Sequence, residues 1–278
     1  IFFIAGVNLQ SVLEKVSESS KFMYERKMSI FFIQSQYTHQ IILRLTGTDE
    51  RPKHDSAAEE NIRATNNSVM MTYYFQKAYI SFMFRAYDDT KHFTEKCLDY
   101  IGNTWANLLV QHAFHAFYMG LNAFWLARKE REGQQWLEKG KRSKLALKKW
   151  AKSSQWTFEN KCYLLEAEES YCNNDVDRAT VCYEKAISSA KDHKFVHEEA
   201  LAYELAAYFY VELGDTQKAM EYFSQAHLKY HEWGAFGKCD SLSKFIEITS
   251  IALPAGAGVS LGQSSIVEKM SFNIKSEK

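Results

Sequence analysis

Proline and glycine are scarce, two and twelve in 278 residues. Few positions therefore break a helix or demand a positive φ, and long stretches run without interruption. Net charge is missing as well: Lys plus Arg and Asp plus Glu are 34 each. That balance leaves no basic footprint for nucleic acid, and there is no acidic tail. The five cysteines, Cys97, Cys162, Cys172, Cys182 and Cys239, include no CxxC pair. An odd count without a secretory leader fits reduced thiols and a cytoplasmic protein. Ile1-Phe2-Phe3-Ile4 is too short for such a leader and lacks a basic start. An opening on Ile rather than Met reads as a fragment of a longer chain.

Catalytic patterns are missing too. There is no GxxxxGK[ST] phosphate loop, and Gly256 and Gly258 lack the strand and helix that a dinucleotide turn needs. His112, His115 and Met119 share one helical face, but no third and fourth ligand follow at metal spacing. His197-Glu198-Glu199 lacks the second His of a zinc protease. The expectation is no catalytic residue, no cofactor and no metal. From Tyr100 to Ala127 there is no charged residue, a run long enough to cross a bilayer. Asn103, Asn107, Gln111, His112, His115 and Asn122 interrupt it, each needing a partner in hydrocarbon. The run is read as a buried helix, and no membrane span is expected.

What the chain does have is a repeat. Tyr163, Leu165, Ala167, Asp175, Ala179, Tyr183 and Ala186 return as Tyr203, Leu205, Ala207, Asp215, Ala219, Phe223 and Ala226. Arg178 is echoed by Lys218, and a fainter copy places Ala127 and Ala146 in the frames of Ala167 and Ala186. A still fainter hairpin runs through Tyr74, Ala78, Thr90 and Cys97. A fixed period of this size predicts stacked units, none of which buries its apolar face alone. Alanines let two helices approach closely, and the aromatic at Tyr183 or Phe223 fills the gap. Asn173-Asn174-Asp175 and Gly214-Asp215 suit the end of one helix and the cap of the next. The order resembles that of tetratricopeptide repeats, although the period departs from their usual ~34 residues. The fold class is thus read as all-α, an α-solenoid of antiparallel helical hairpins with a period of about 40.

Helices are expected over 8–28, 29–46, 57–86, 88–101, 104–131, 134–152, 157–173, 176–192, 195–213, 216–231 and 235–251. Breaks fall at Gly47 through Pro52, Gly102-Asn103, Gly133, Gly214-Asp215 and Gly234. Residues 1–56 form N-terminal helices, a degenerate part of the solenoid, and 57–253 the repeats. The best repeats are 157–192 and 195–231, with a capping helix at 235–251. Residues 254–278, with Ala-Gly-Ala-Gly-Val-Ser after Pro254, read as a flexible tail or linker.

The first helix of each hairpin should line any groove. The frame puts Lys161, Leu164, Glu168 and Tyr171 there, then Leu201, Glu204, Tyr208 and Val211. The fainter copy adds Leu121, Phe124, Arg128 and Arg131. This mixture suits an extended peptide or another domain of the same chain, and it equally suits packing against neighbouring helices. Trp233 is read as structural, an indole buried where a helix ends, with Gly234 permitting the turn.

A second resemblance rests on Leu164-Leu165-Glu166-Ala167-Glu168, on Tyr183, Ala186-Ile187 and Ala190, and on Phe195 with His197 through Ala202. It continues through Glu204, Ala206-Ala207, Phe209-Tyr210, Ala226, Tyr230, Trp233-Gly234-Ala235 and Lys238. This pattern resembles the helical-repeat region of large multidomain signalling ATPases of the STAND type. In them a serine/threonine-kinase-like domain precedes an AAA-type ATPase, and GAF with histidine-kinase or cyclase modules often follows. The resemblance is best over 157–242. It implies a non-catalytic scaffold that couples nucleotide-dependent switching to an output domain. None of the family's kinase, nucleotide-binding or phospho-acceptor motifs is present here. The alternative is a freestanding tetratricopeptide-type adaptor that binds a peptide of a separate protein.

Overall fold

The computed structural model of the chain describes residues 3–48, 65–100, 109–130 and 133–252. The readings that fall elsewhere, including Arg131, the breaks at Pro52 and Gly102-Asn103 and the tail 254–278, lie outside the described residues. Eleven helices stand among the described residues, with no strand. They are α1 (Leu9–Glu25), α2 (Ser29–Thr46), α3 (Asn67–Met83), α4 (Tyr87–Tyr100), α5 (Leu109–Lys129) and α6 (Gln134–Ala151). The series continues with α7 (Gln155–Cys172), α8 (Val176–Asp192), α9 (Val196–Leu213), α10 (Thr216–Trp233) and α11 (Phe236–Ala252). The protein is all-α.

One turn chemistry ends most of these helices. A left-handed residue follows the helix, and the next backbone N–H reaches back to a carbonyl one turn earlier. Asp175 N–H donates to Ser170 O at 2.9 Å, Asp215 to Tyr210 O at 3.0 Å, and Ala235 to Tyr230 O at 2.9 Å. Phe195 does so to Ala190 O, Ala86 to Ser81 O, Met28 to Met23 O and Thr48 to Leu43 O. Glycine supplies the left-handed residue at Gly47, Gly214 and Gly234, whereas Lys27, Arg85, Asn174 and Lys194 do so despite their Cβ. The short polar side chain of Asn174 tolerates this best. The following helices start on side-chain caps: Asp175 accepts from Arg178 N–H at 3.2 Å and Asp215 from Lys218 N–H at 3.0 Å.

The third helix differs from the span read in the sequence. It begins at Asn67, inside the expected 57–86, because the Asn66 side chain accepts from Val69 N–H. It stops at Phe84 because Arg85 takes φ 56°. No hydrophobic pattern announces either end.

Consecutive helices pack against each other: α3 with α4, α5 with α6, α7 with α8, and α9 with α10. These pairs in turn contact the next, α6 with α7 and α8 with α9, and α5 reaches α7. The repeat alanines sit at these contacts. Ala167, Ala179, Ala207, Ala219 and Ala226 are 0% exposed, and Ala186 is 1% exposed. Tyr183 and Phe223, the aromatic of each frame, are fully buried. One core cluster runs from Phe3 to Phe245, joining all of these pairs. The array also returns on itself, since α11 packs on α2. A Cβ added to Gly237 would lie 2.6 Å from Gly47 N and 2.8 Å from Arg44 O, so backbone meets backbone there.

No described helix is long and apolar enough to cross a membrane. In α5, where the charge-free run lies, Asn122 donates from Nδ2 to Thr94 Oγ1 at 3.0 Å. His115 packs 3.8 Å from the Phe75 ring centroid.

Candidate functional site: a buried ion-pair ladder

Three acid-centred clusters line the inner faces of α5, α7 and α9. In the first, the Arg128 guanidinium meets Glu168 at 2.7 Å and covers the Tyr171 ring at 4.1 Å from its centroid. Tyr183 donates its hydroxyl to the other Glu168 oxygen at 2.5 Å. Burial opposes the Arg128 charge, but the Glu168 carboxylate more than offsets it and the pKa lies well above its ordinary value.

The second cluster centres on Glu198, 1% exposed. Lys161 Nζ donates to it at 2.7 Å and Asn160 Nδ2 at 2.5 Å. Lys161 also donates to Thr157 O and lies over the Phe195 ring. Beside them His197 is fully enclosed against Trp233, with ring centroids 5.3 Å apart. Burial drives its pKa down to about 4, against the opposing pull of Glu198.

The third cluster holds Glu204. Tyr230 donates to one oxygen at 2.7 Å, and Lys238 of α11 to the other at 2.6 Å. Lys238 also donates to the Met83 carbonyl at the end of α3, which ties distant parts of the chain together. Burial lowers its pKa, although Glu204 pulls the other way. Nearby, the Arg85 guanidinium is sandwiched 3.9 Å from Trp125 and 4.5 Å from the Tyr208 ring centroid. Tyr208 packs edge-on against Phe223 and Phe245.

Of the described groove positions, Arg128, Lys161, Glu168, Tyr171, Glu204 and Tyr208 find polar or ring partners within the chain, while Leu121, Phe124, Leu164 and Leu201 are buried in the core and Val211 packs against it. Arg128, Glu168 and Tyr171 share one cluster, while Lys161 and Glu204 anchor two others. The reason Arg128 meets Glu168 is that they occupy equivalent places in successive frames. Tyr208, equivalent to both, meets Arg85 instead. Sequence reasoning missed Glu198, Asn160, Arg85 and the pairing role of Lys238. A signal existed for Glu198: it lies in a run, His197 through Ala202, whose every residue is buried. Its polar character hid that.

Trp233 is 1% exposed, and its indole N–H donates to Val7 O at 3.1 Å. Gly234 has φ 86° and ends α10. Among the described residues no three His, Cys, Asp or Glu side chains converge in a way that would hold a metal. Desolvation pushes the thiols up, the buried Cys97 to about 12 and the buried Cys162 and Cys239 and half-buried Cys172 to about 11. Burial is the first cause in each, and it makes poor nucleophiles. A separate pocket of 490 Å³ opens between α2, α3 and the start of α4, with Arg44, Lys77, Gln76 and Asp89 among its lining residues.

No family model, curated protein or solved structure matches this chain.

Proposed function

We propose that the chain is a non-catalytic protein-interaction scaffold, built as a tetratricopeptide-like solenoid of helical hairpins. The observation that carries this reading is the equivalence of its small residues. Ala167 and Ala207, Ala179 and Ala219, Ala186 and Ala226 stand one frame apart and are all at most 1% exposed. Close helix approach at a fixed period is what stacked hairpins require, and such arrays offer extended faces to proteins or peptides. Buried carboxylates with cations on them brace the helices.

In this reading the scaffold is cytoplasmic and works within a large STAND-type signalling ATPase or kinase. It couples nucleotide-dependent switching to an output domain, because bending at each helix interface biases what is attached at either end. Partners are then other domains of the same parent chain, or a separate protein or peptide, with no nucleic acid and no membrane span. A freestanding adaptor is the second reading.

Isothermal titration of the 278-residue chain with ATP tests the non-catalytic assignment. No specific heat is expected, and saturable binding of one nucleotide per chain overturns it. Sequencing the transcript on both sides separates the two readings. A phosphate-binding loop upstream or an output module downstream selects the regulatory segment, whereas a start codon and a stop codon flanking the chain select the adaptor.

A further inference from the structure

We propose that the cavity between α2, α3 and the start of α4 binds a planar aromatic carboxylate. The site lies apart from the ion-pair ladder and goes beyond the scaffold reading, which requires no small ligand.

The cavity follows from how α2 and α3 meet. Tyr37 packs on Tyr73 with ring centroids 5.5 Å apart, Gln76 Nε2 donates to Thr38 Oγ1 at 3.4 Å, and Arg44 covers the Phe84 ring at 4.9 Å. These contacts advance together along both helices, so the two run side by side in one direction. Elsewhere alanine lets helices close up, as at Ala167 and Ala207, but α2 has no alanine. Its Ile41, with Ile80 of α3 and Phe93 of α4, lines an opening of 490 Å³. That volume lies within the range of small-molecule sites.

The walls decide the ligand. Their rings and aliphatic side chains favour a flat hydrocarbon body. Two cations stand on them. Arg44 lies over Phe84 and Lys77 lies 5.7 Å from the Tyr73 centroid, and among the described residues neither pairs with a carboxylate. This sets them apart from Arg128, Lys161 and Lys238, each of which has its own glutamate. Stacking occupies the face of the Arg44 guanidinium and leaves its edge of N–H donors, the geometry that takes a carboxylate in two hydrogen bonds. Among the described lining residues Asp89 of α4 is the one carboxylate. Two positive charges and one negative match a monoanion. Gln76 adds a buried Oε1 without a donor, and a hydroxyl on the ligand ring satisfies it.

Equilibrium dialysis of 6-hydroxy-2-naphthoate against the full chain at about pH 7.5 is the test. One molecule per chain with a Kd below about 1 mM is expected. The neutral 6-hydroxy-2-naphthamide should bind at least about tenfold more weakly, because it cannot form a charge-assisted pair. Arg44→Ala should weaken uptake of the acid by a similar factor, and Lys77→Ala by about threefold. Three results overturn the inference: no saturable uptake by the unaltered chain, equal affinity for acid and amide, or a variant that binds the acid as tightly as the unaltered chain. Far-UV circular dichroism checks that each variant is folded. Should one unfold, the comparison of acid with amide on the unaltered chain decides alone.

Discussion

Lys238→Met is the sharpest perturbation of the ladder. The ammonium it removes is 1% exposed and holds Glu204 at 2.6 Å as well as the Met83 carbonyl. Met fills nearly the same volume, so the loss is electrostatic. Glu204 would keep the Tyr230 hydroxyl, at 2.7 Å, and the Tyr208 hydroxyl beside it, but no cation on its carboxylate in the interior. Breaking one side of a buried pair costs about 3–5 kcal/mol, more than its net worth, because the remaining charge stays desolvated. Glu204→Gln should cost a similar amount by stranding the ammonium. The double variant removes both charges and should be less destabilised than either single one. Guanidinium unfolding followed by circular dichroism reads all four chains. With a slope of about 5 kcal/mol/M, each single substitution moves the midpoint down by roughly 0.6–1 M. Strictly additive effects, or a single loss below about 1 kcal/mol, would refute the reasoning.

Lys194→Gly should stabilise the chain by about 0.5–1 kcal/mol, because Lys194 has φ 60° at the end of α8, and a raised thermal midpoint checks it. Gly140→Ala should cost about 1–3 kcal/mol, since its Cβ would come within 2.6 Å of the Phe124 ring, and urea unfolding measures this. Acid should destabilise the fold through His197, whose pKa falls from 6.5 to about 4 on burial. The unfolded chain takes the proton first, so stability is full above pH 6.5 and falls as pH drops towards 4, by about 3 kcal/mol in all. His115, driven down to about 3, adds to the loss over a wider acid range. Unfolding midpoints between pH 7 and 4 should fall less steeply in His197→Gln.

The helical class and most helix ends were legible because they are local. Asp175 and Asp215 cap, Gly214 and Gly234 turn, and each signal sits within a few residues of its effect. Lys27, Arg85 and Lys194 were not legible, since nothing in their chemistry prefers a left-handed turn. There the six-residue backbone bond and the packing behind it impose the conformation. The period put Arg128, Lys161, Glu168 and Glu204 on the first helix of each unit, but it left open whether they line a groove or pack against neighbouring helices. Their partners did not, because Glu198 and Lys238 are chosen by how helices stack across ~34–40 residues, which no local pattern encodes. The seating of Phe3 by Trp233 was beyond reach for the same reason, since they stand 230 positions apart.

The backbone contact between Gly47 and Gly237 changes what kind of cooperative unit this is. An open stack loses its end units first, and its stability grows by increments as units are added. Here the α2 end and the α11 end support each other, so neither is a free end from which unzipping begins. Cutting away either one exposes the other, and truncation from both sides is penalised alike. The connection that matters least is then an interior turn. A permuted chain opened at Asn173-Asn174 and linked across the old ends should keep the same neighbours throughout.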